Sequence, residues 1–147
     1  MHNANEIITN LWLGDIRDSR NKNFINNMDI IINCTKDLPF IDENKKCIRV
    51  RVEDNLEKQE IENLYKYFEP ISQLLHSSLK KGKKIFVHCY AGKQRSATII
   101  CAYIMTYLNL SFKDSFELIK SKRKHIFTPY ANFINALILY ENKLMEK

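Results

Sequence analysis

The chain has 147 residues, a formal charge of +6, and 45% hydrophobic and 27% charged residues. That is enough for one domain with a real core and leaves little for a second; only three Gly and three Pro argue against long flexible linkers. The positive balance favours acidic partners such as phosphorylated peptides, nucleic acid or anionic lipid, and a plain solvated surface explains it equally well.

No apolar run reaches the ~20 residues of a membrane span, so none is expected. Met1 to Glu6 has neither a basic n-region nor an apolar h-region, so a secretory leader is not expected. The cysteines are Cys34, Cys47, Cys89 and Cys101, with no CxxC pair and no zinc spacing. Free thiols fit a reducing compartment, the cytoplasm, with the nucleus left open. No metal site and no cofactor is expected.

In chain order, Leu11-Trp12-Leu13-Gly14 reads as a short strand ended by a turn. Ser19 to Asn27 reads as a short helix with Phe24 and Ile25 inward. Asp29 to Cys34 is an apolar, β-branched run and predicts a buried strand. Asp37-Leu38-Pro39 marks a loop. Cys47 to Val52 alternates and predicts a strand with Arg49 and Arg51 on one face. Glu57 to Leu79 has helical spacing, and Pro70 should kink or divide that helix. Lys80 to Lys83 is the exit turn, and Lys84 to Val87 is the next strand.

A helix should follow from about Gln94 to Leu108, stopped at Asn109. Ser111 to Asp114 resembles a capping box, opening a helix to about Lys122. Thr128-Pro129 reads as an N-cap with Pro at the first helical position, opening a last helix to about Lys143. Strands joined by helices predict an α/β fold: a single domain with a central, mostly parallel sheet flanked by helices. Ligands of such sheets sit beyond the carboxyl ends of the strands.

One such end carries the most informative stretch, His88-Cys89-Tyr90-Ala91-Gly92-Lys93-Gln94-Arg95-Ser96. A loop between a strand and a helix N-terminus gathers backbone N–H groups around an anion. The same groups stabilise a thiolate at Cys89. Arg95 can hold two oxygens of a tetrahedral anion in its planar fork. Gly92 supplies a positive φ or a close backbone approach. Phosphate is the anion this implies, and thiolate attack on phosphorus is the chemistry.

The loop matches Cys-x5-Arg followed by Ser, and the chain resembles the small, atypical dual-specificity phosphatases of the cysteine-dependent protein tyrosine phosphatase superfamily. Leu11-Trp12-Leu13-Gly14 resembles the family's opening strand, and Ile32-Asn33-Cys34-Thr35 a strand end. Ala102-Tyr103-Ile104-Met105 resembles the block after the loop. Thr128-Pro129-Tyr130-Ala131-Asn132-Phe133 resembles the start of the last helix. These blocks occur in family order, so the resemblance implies one catalytic domain over residues 1–147, with its core at about 6–143.

The resemblance further implies Cys89 as nucleophile, forming a cysteinyl-phosphate, and Arg95 as the phosphate clamp. It implies Asp54 as general acid, with the neighbouring Glu53 left open. Ser96 either hydrogen-bonds the sulfur or caps the helix. Tyr90, Ala91, Gly92, Lys93 and Gln94 line the substrate, with Lys93 and Gln94 on the loop rim, and His88 orients the loop. Cys34 is a small core residue or a partner for a reversible disulfide with Cys89. Lys122-Arg123-Lys124-His125 is a solvated turn or a contact for acidic substrate.

The implied function is hydrolysis of phosphotyrosine and phosphoserine or phosphothreonine in proteins, by a monomer with no stable nucleic-acid partner. Alternatives are a phosphatase for phosphoinositides or RNA 5′-phosphates, for which Lys93 speaks, and an inactive phospho-binding module.

Overall fold

The computed structural model describes residues 2–146. Its strands are β1 (Asn5–Ile8), β2 (Leu11–Gly14), β3 (Ile30–Asn33), β4 (Lys46–Arg49) and β5 (Ile85–His88), in the sheet order β1-β2-β5-β3-β4. β1 runs antiparallel to β2 and the other pairings are parallel, giving the expected α/β architecture with a mostly parallel sheet. The helices are α1 (Ile16–Ser19), α2 (Lys22–Asn26), α3 (Lys58–Lys80), α4 (Arg95–Tyr107), α5 (Phe112–Lys122) and α6 (Ile134–Met145).

Strand side chains alternate faces, and the two faces fill two cores. Leu11, Leu13, Ile30, Ile32, Ile85 and Val87 pack with residues of α3 to α6. Ile31 and Phe86, the alternate positions, turn to the other face and meet Phe24, Ile25 and Met28. Each fully buried side chain of this size contributes about 1.5–3 kcal/mol. α4 is buried from Arg95 through Met105. A helix this apolar all round belongs at the centre of a fold, not on its surface.

The parallel register aligns Gly14, His88 and Asn33 at the carboxyl ends of β2, β5 and β3. The segments that leave these ends therefore meet on one edge of the sheet, and Cys89 opens the central one.

Several elements differ from the sequence expectation. β1 was not foreseen; it is short and pairs through a hairpin whose Asn10 has φ 70°. Its signal is Asn10, a residue type that tolerates the left-handed region. The helix expected over Ser19 to Asn27 is the shorter α2, Lys22–Asn26, because the Asn21 side chain caps it there, and α1, which Asp15 opens with a capping box, ends at Ser19 just before it. β4 stops at Arg49, and the Val52 N–H turns back to the Val50 carbonyl at 3.0 Å.

Pro70 does not divide α3, which runs unbroken over 23 residues. Pro70 and Lys66 are both exposed, so the bond that Pro70 cannot make is lost on the solvent side of the helix. The opposite stripe, Leu64, Phe68, Ile71 and Leu75, stays buried and holds the helix. The last helix starts at Ile134 with Phe133 as N-cap, not at Thr128-Pro129. Thr128 Oγ1 donates to the His125 carbonyl instead of capping a helix, and the Thr128–Pro129 bond is cis.

Candidate active site

The 88–96 segment leaves β5 and enters α4 as a tight loop. Gly92 has φ +67°, and a Cβ there would lie 2.5 Å from the Gly14 carbonyl oxygen and 2.7 Å from Nη2 of Arg123. Both reasons for a glycine therefore hold at once, the left-handed backbone and the close approach. Three loop carbonyls are tied to other elements. Tyr90 O accepts from the Ile16 N–H at 2.9 Å, Lys93 O from the Phe127 N–H at 2.8 Å, and Gly92 O from Arg123 Nε at 2.9 Å. In a trans peptide the N–H points opposite to the carbonyl. Holding these three carbonyls therefore turns the N–H groups of Ala91, Lys93 and Gln94 away from those partners, as a backbone anion nest requires.

Cys89 is 2% exposed, and its Sγ lies 3.0 Å from Ser96 Oγ. Ser96 lies within α4, whose N-cap is Gln94, so the alternative of Ser96 as helix cap falls. Arg95 Nη1 donates to the Val52 carbonyl at 2.8 Å, while its buried Nε has no partner among the described residues. A buried cationic N–H without an acceptor is costly unless an anion meets it. His88 is buried, and among the described residues its Nδ1 has no hydrogen-bond partner. Burial pulls its pKa down to about 4 against an opposing backbone bond to Cys89, so the ring is neutral at pH 7.

Three consecutive residues of the Val52–Asp54 segment are each tied to a different element. Val52 holds Arg95. The Glu53 N–H donates to Glu60 Oε2 at 3.2 Å, and Lys36 lies 3.2 Å from the same oxygen. Burial pushes the Glu60 carboxyl up, but bonds from Asn63, Lys36 and Glu53 outweigh it and its pKa falls. Asp54 Oδ1 accepts from Asn132 Nδ2 at 2.8 Å.

Two sequence expectations for the loop need correction. The Gln94 side chain does not stand solvated on the rim. It is 6% exposed, its Nε2 donates to the carbonyls of Tyr130 and Thr128 at 2.6 and 3.3 Å, and its Oε1 accepts from the Asn132 N–H at 2.9 Å. A long amide beside three unpaired backbone groups satisfies all of them at once. Arg123 is neither a solvated turn residue nor a free substrate contact. Besides Gly92 O, its Nη1 donates to Asn3 O and Asn5 Oδ1, both at 2.8 Å. Burial pulls its pKa below the ordinary guanidinium value, with Asp18 and Asp15 opposing, and it stays cationic at neutral pH. Its signal was only a basic run, which names no partner 31 residues away.

Tyr90 is 60% exposed and Ala91 is exposed, both at the mouth of the loop, and Lys93 is half-buried. Cys34 is fully buried beside the loop, and its N–H donates to the His88 carbonyl at 2.8 Å. Burial pushes its thiol well above the ordinary 9.0, Cys89 adds to that and Arg95 opposes it. All four cysteines are free thiols. Two clefts, of about 730 Å³ beside Leu56, Tyr65 and Leu139 and of about 540 Å³ beside His2, Trp12 and Phe24, include no residue of the loop.

The sequence profile described as "Dual specificity phosphatase, catalytic domain" matches residues 11–143. The chain belongs to the dual-specificity phosphatase family. The class of activity that goes with this membership is protein phosphatase. A protein of Invertebrate iridescent virus 6 named as tyrosine phosphatase 123R is 37% identical over 140 residues, which cover 95% of this chain and 92% of the viral one. Human Dual specificity protein phosphatase 9 is 33% identical over 144 residues, 95% of this chain but only 36% of the human protein. The chain thus spans about a third of that relative. The crystal structure of human DUSP28 superposes with a TM-score of 0.86 at 23% identity, covering 97% of this chain and 98% of that one. That likeness speaks to the fold. Among the described residues, no helix is long and apolar enough to cross a membrane.

Proposed function

We propose that this dual-specificity phosphatase hydrolyses phosphotyrosine and phosphoserine or phosphothreonine in proteins through a cysteinyl-phosphate on Cys89. One observation carries the reading. A buried sulfur 3.0 Å from a serine hydroxyl sits in the same loop as a buried arginine Nε that has no partner among the described residues. The loop offers a nucleophile and an unpaired cation for one anion.

In the first step the Cys89 thiolate attacks phosphorus, the S–P bond forms and the bond to the leaving oxygen breaks. Asp54 gives that oxygen a proton. Arg95 and the N–H groups of Ala91, Lys93 and Gln94 hold the charge that spreads over the equatorial oxygens. In the second step Asp54 takes a proton from water, water attacks phosphorus and the S–P bond breaks. The Ser96 hydroxyl donates to the departing sulfur. Asp54 is favoured over Glu53 because its carboxylate is the one held by a side-chain donor. Residues 1–147 act as one catalytic domain and as a monomer in this reading.

The test is hydrolysis of an aryl phosphate and of phosphopeptides, with rapid acid quench to trap phosphate on the protein. Cys89→Ser should abolish turnover and trapping together. Wild-type turnover in Cys89→Ser would overturn the covalent route. Absence of any turnover in the wild type would leave a phospho-binding module. A higher kcat/KM on phosphoinositides or 5′-phosphorylated RNA than on phosphopeptides would replace the protein substrate.

A further inference from the structure

Beyond the parts that touch phosphate, a polar relay connects the loop to the acid. Gln94 immediately precedes Arg95 and is buried. Its amide takes both sides of the 128–132 segment, donating to Tyr130 O and accepting from the Asn132 N–H. The Asn132 side chain then donates to Asp54 Oδ1 at 2.8 Å, across 78 residues of sequence. A second tie closes the circuit, because Arg95 Nη1 holds Val52 O two residues before Asp54.

We infer that Asn132 is a positioning residue for the general acid, anchored to the phosphate loop through Gln94. The inference rests on the reading of Asp54 as that acid. Asp54 is exposed, on a segment without regular secondary structure. Left to itself, such a carboxylate samples several rotamers and directions. The Asn132 amide fixes Oδ1, which leaves Oδ2 as the oxygen that carries the proton. When Asp54 gives up that proton, the same N–H···O bond becomes charge-assisted and strengthens. Gln94 makes the arrangement respond to the loop itself. Any displacement of the α4 N-terminus moves Arg95 and, through segment 128–132, the acid with it.

A donor to an exposed carboxylate should matter to proton delivery far more than to folding. The measurement is kcat/KM, which reports the first step only, for Asn132→Ala on phosphates of graded leaving-group basicity, from nitrophenyl phosphate to a phosphoserine peptide, with and without Asp54→Asn. Asn132→Ala should lower kcat/KM about tenfold on the phosphoserine peptide and less than about twofold on nitrophenyl phosphate, whose leaving group depends far less on a proton. In the Asp54→Asn background it should cost nothing further. Asn132→Asp keeps the side-chain shape and the backbone bond to Gln94 but sets a carboxylate against Asp54. It should lose at least as much on the peptide and carries the test if the alanine variant does not fold.

An equal loss on both substrates, or an undiminished loss in the Asp54→Asn background, would make Asn132 a packing residue and overturn the inference. If Asp54→Asn by itself showed no leaving-group dependence, the assignment of the acid would fail first, and the inference with it. The two failures are separate outcomes of one series.

Discussion

Replacing Gly92 by alanine should be far more damaging than replacing Gly82, although both glycines have a left-handed backbone. Their φ angles are +67° and +75°. An L-residue in that region costs about 1–2 kcal/mol, and that cost is common to the two positions. The surroundings differ. A Cβ at Gly82 meets nothing within 4 Å, whereas at Gly92 it lies 2.5 Å from the Gly14 oxygen and 2.7 Å from the Gly14 carbonyl carbon. Those neighbours are backbone of β2, hydrogen-bonded into the sheet, and cannot swing aside. Overpacking of this kind adds about 1–3 kcal/mol.

Gly82→Ala should therefore lose about 1–2 kcal/mol and Gly92→Ala about 2–5 kcal/mol. With a urea slope of about 2 kcal/mol/M, the midpoints fall by about 0.5–1 M and 1–2.5 M. Aryl phosphate turnover per folded molecule should be unchanged in Gly82→Ala. In Gly92→Ala it should fall about 100-fold, because relieving the contact displaces by a fraction of an ångström or more the N–H groups proposed to bind phosphate. Equal midpoint shifts in the two variants would refute the reasoning, since the contact with Gly14 would then carry no energy.

Three further outcomes follow from the same geometry. His88 titrates at about 4 when folded against 6.5 as its ordinary value, so the unfolded chain binds the proton first as pH falls. Its stabilising share is complete above about 6.5, shrinks as pH falls, and is lost by about pH 4, for a total of about 3 kcal/mol. Urea midpoints should fall more steeply between pH 6.5 and 4 in the wild type than in His88→Asn, and parallel slopes would exclude burial of the neutral ring as the cause. Arg123→Ala removes three bonds, to Gly92 O, Asn3 O and Asn5 Oδ1. It should cost about 2–3 kcal/mol in urea unfolding and raise KM for aryl phosphate, and an unchanged KM would show that the loop holds its shape without it. Cys34 and Cys89 follow an in-register pair of neighbouring strands. Peroxide should oxidise Cys89 to a sulfenic acid that the Cys34 thiol condenses with, releasing water. Inactivation should then be reversible by dithiothreitol in the wild type and largely irreversible in Cys34→Ser, and equal recovery would dismiss the disulfide.

Much of the architecture was legible because it is local. The β-branched run at Ile30–Asn33, the helical stripe of Leu64, Phe68, Ile71 and Leu75, and the Ser111 cap each signal themselves within a few residues. The loop was legible for the same reason, since Cys89, Gly92 and Arg95 lie within seven consecutive positions. Errors came where a neighbour in space overruled a neighbour in sequence. Thr128-Pro129 has the local form of a helix start, but Gln94 takes the carbonyls that follow. Pro70 has the local form of a break, but the buried stripe opposite it keeps α3 continuous.

By itself the sequence determined that Cys89, Gly92 and Arg95 share one loop and which sheet edge presents it, because a strand, a short loop and a helix follow one another within a few residues. Only the tertiary structure decided how that loop is held. Arg123 reaches Gly92 across 31 residues, Gln94 reaches Asn132 across 38, and Asn132 reaches Asp54 across 78. A polar side chain carries no mark of its partner until folding removes water from both, and a buried donor must then find whichever acceptor the fold has brought beside it.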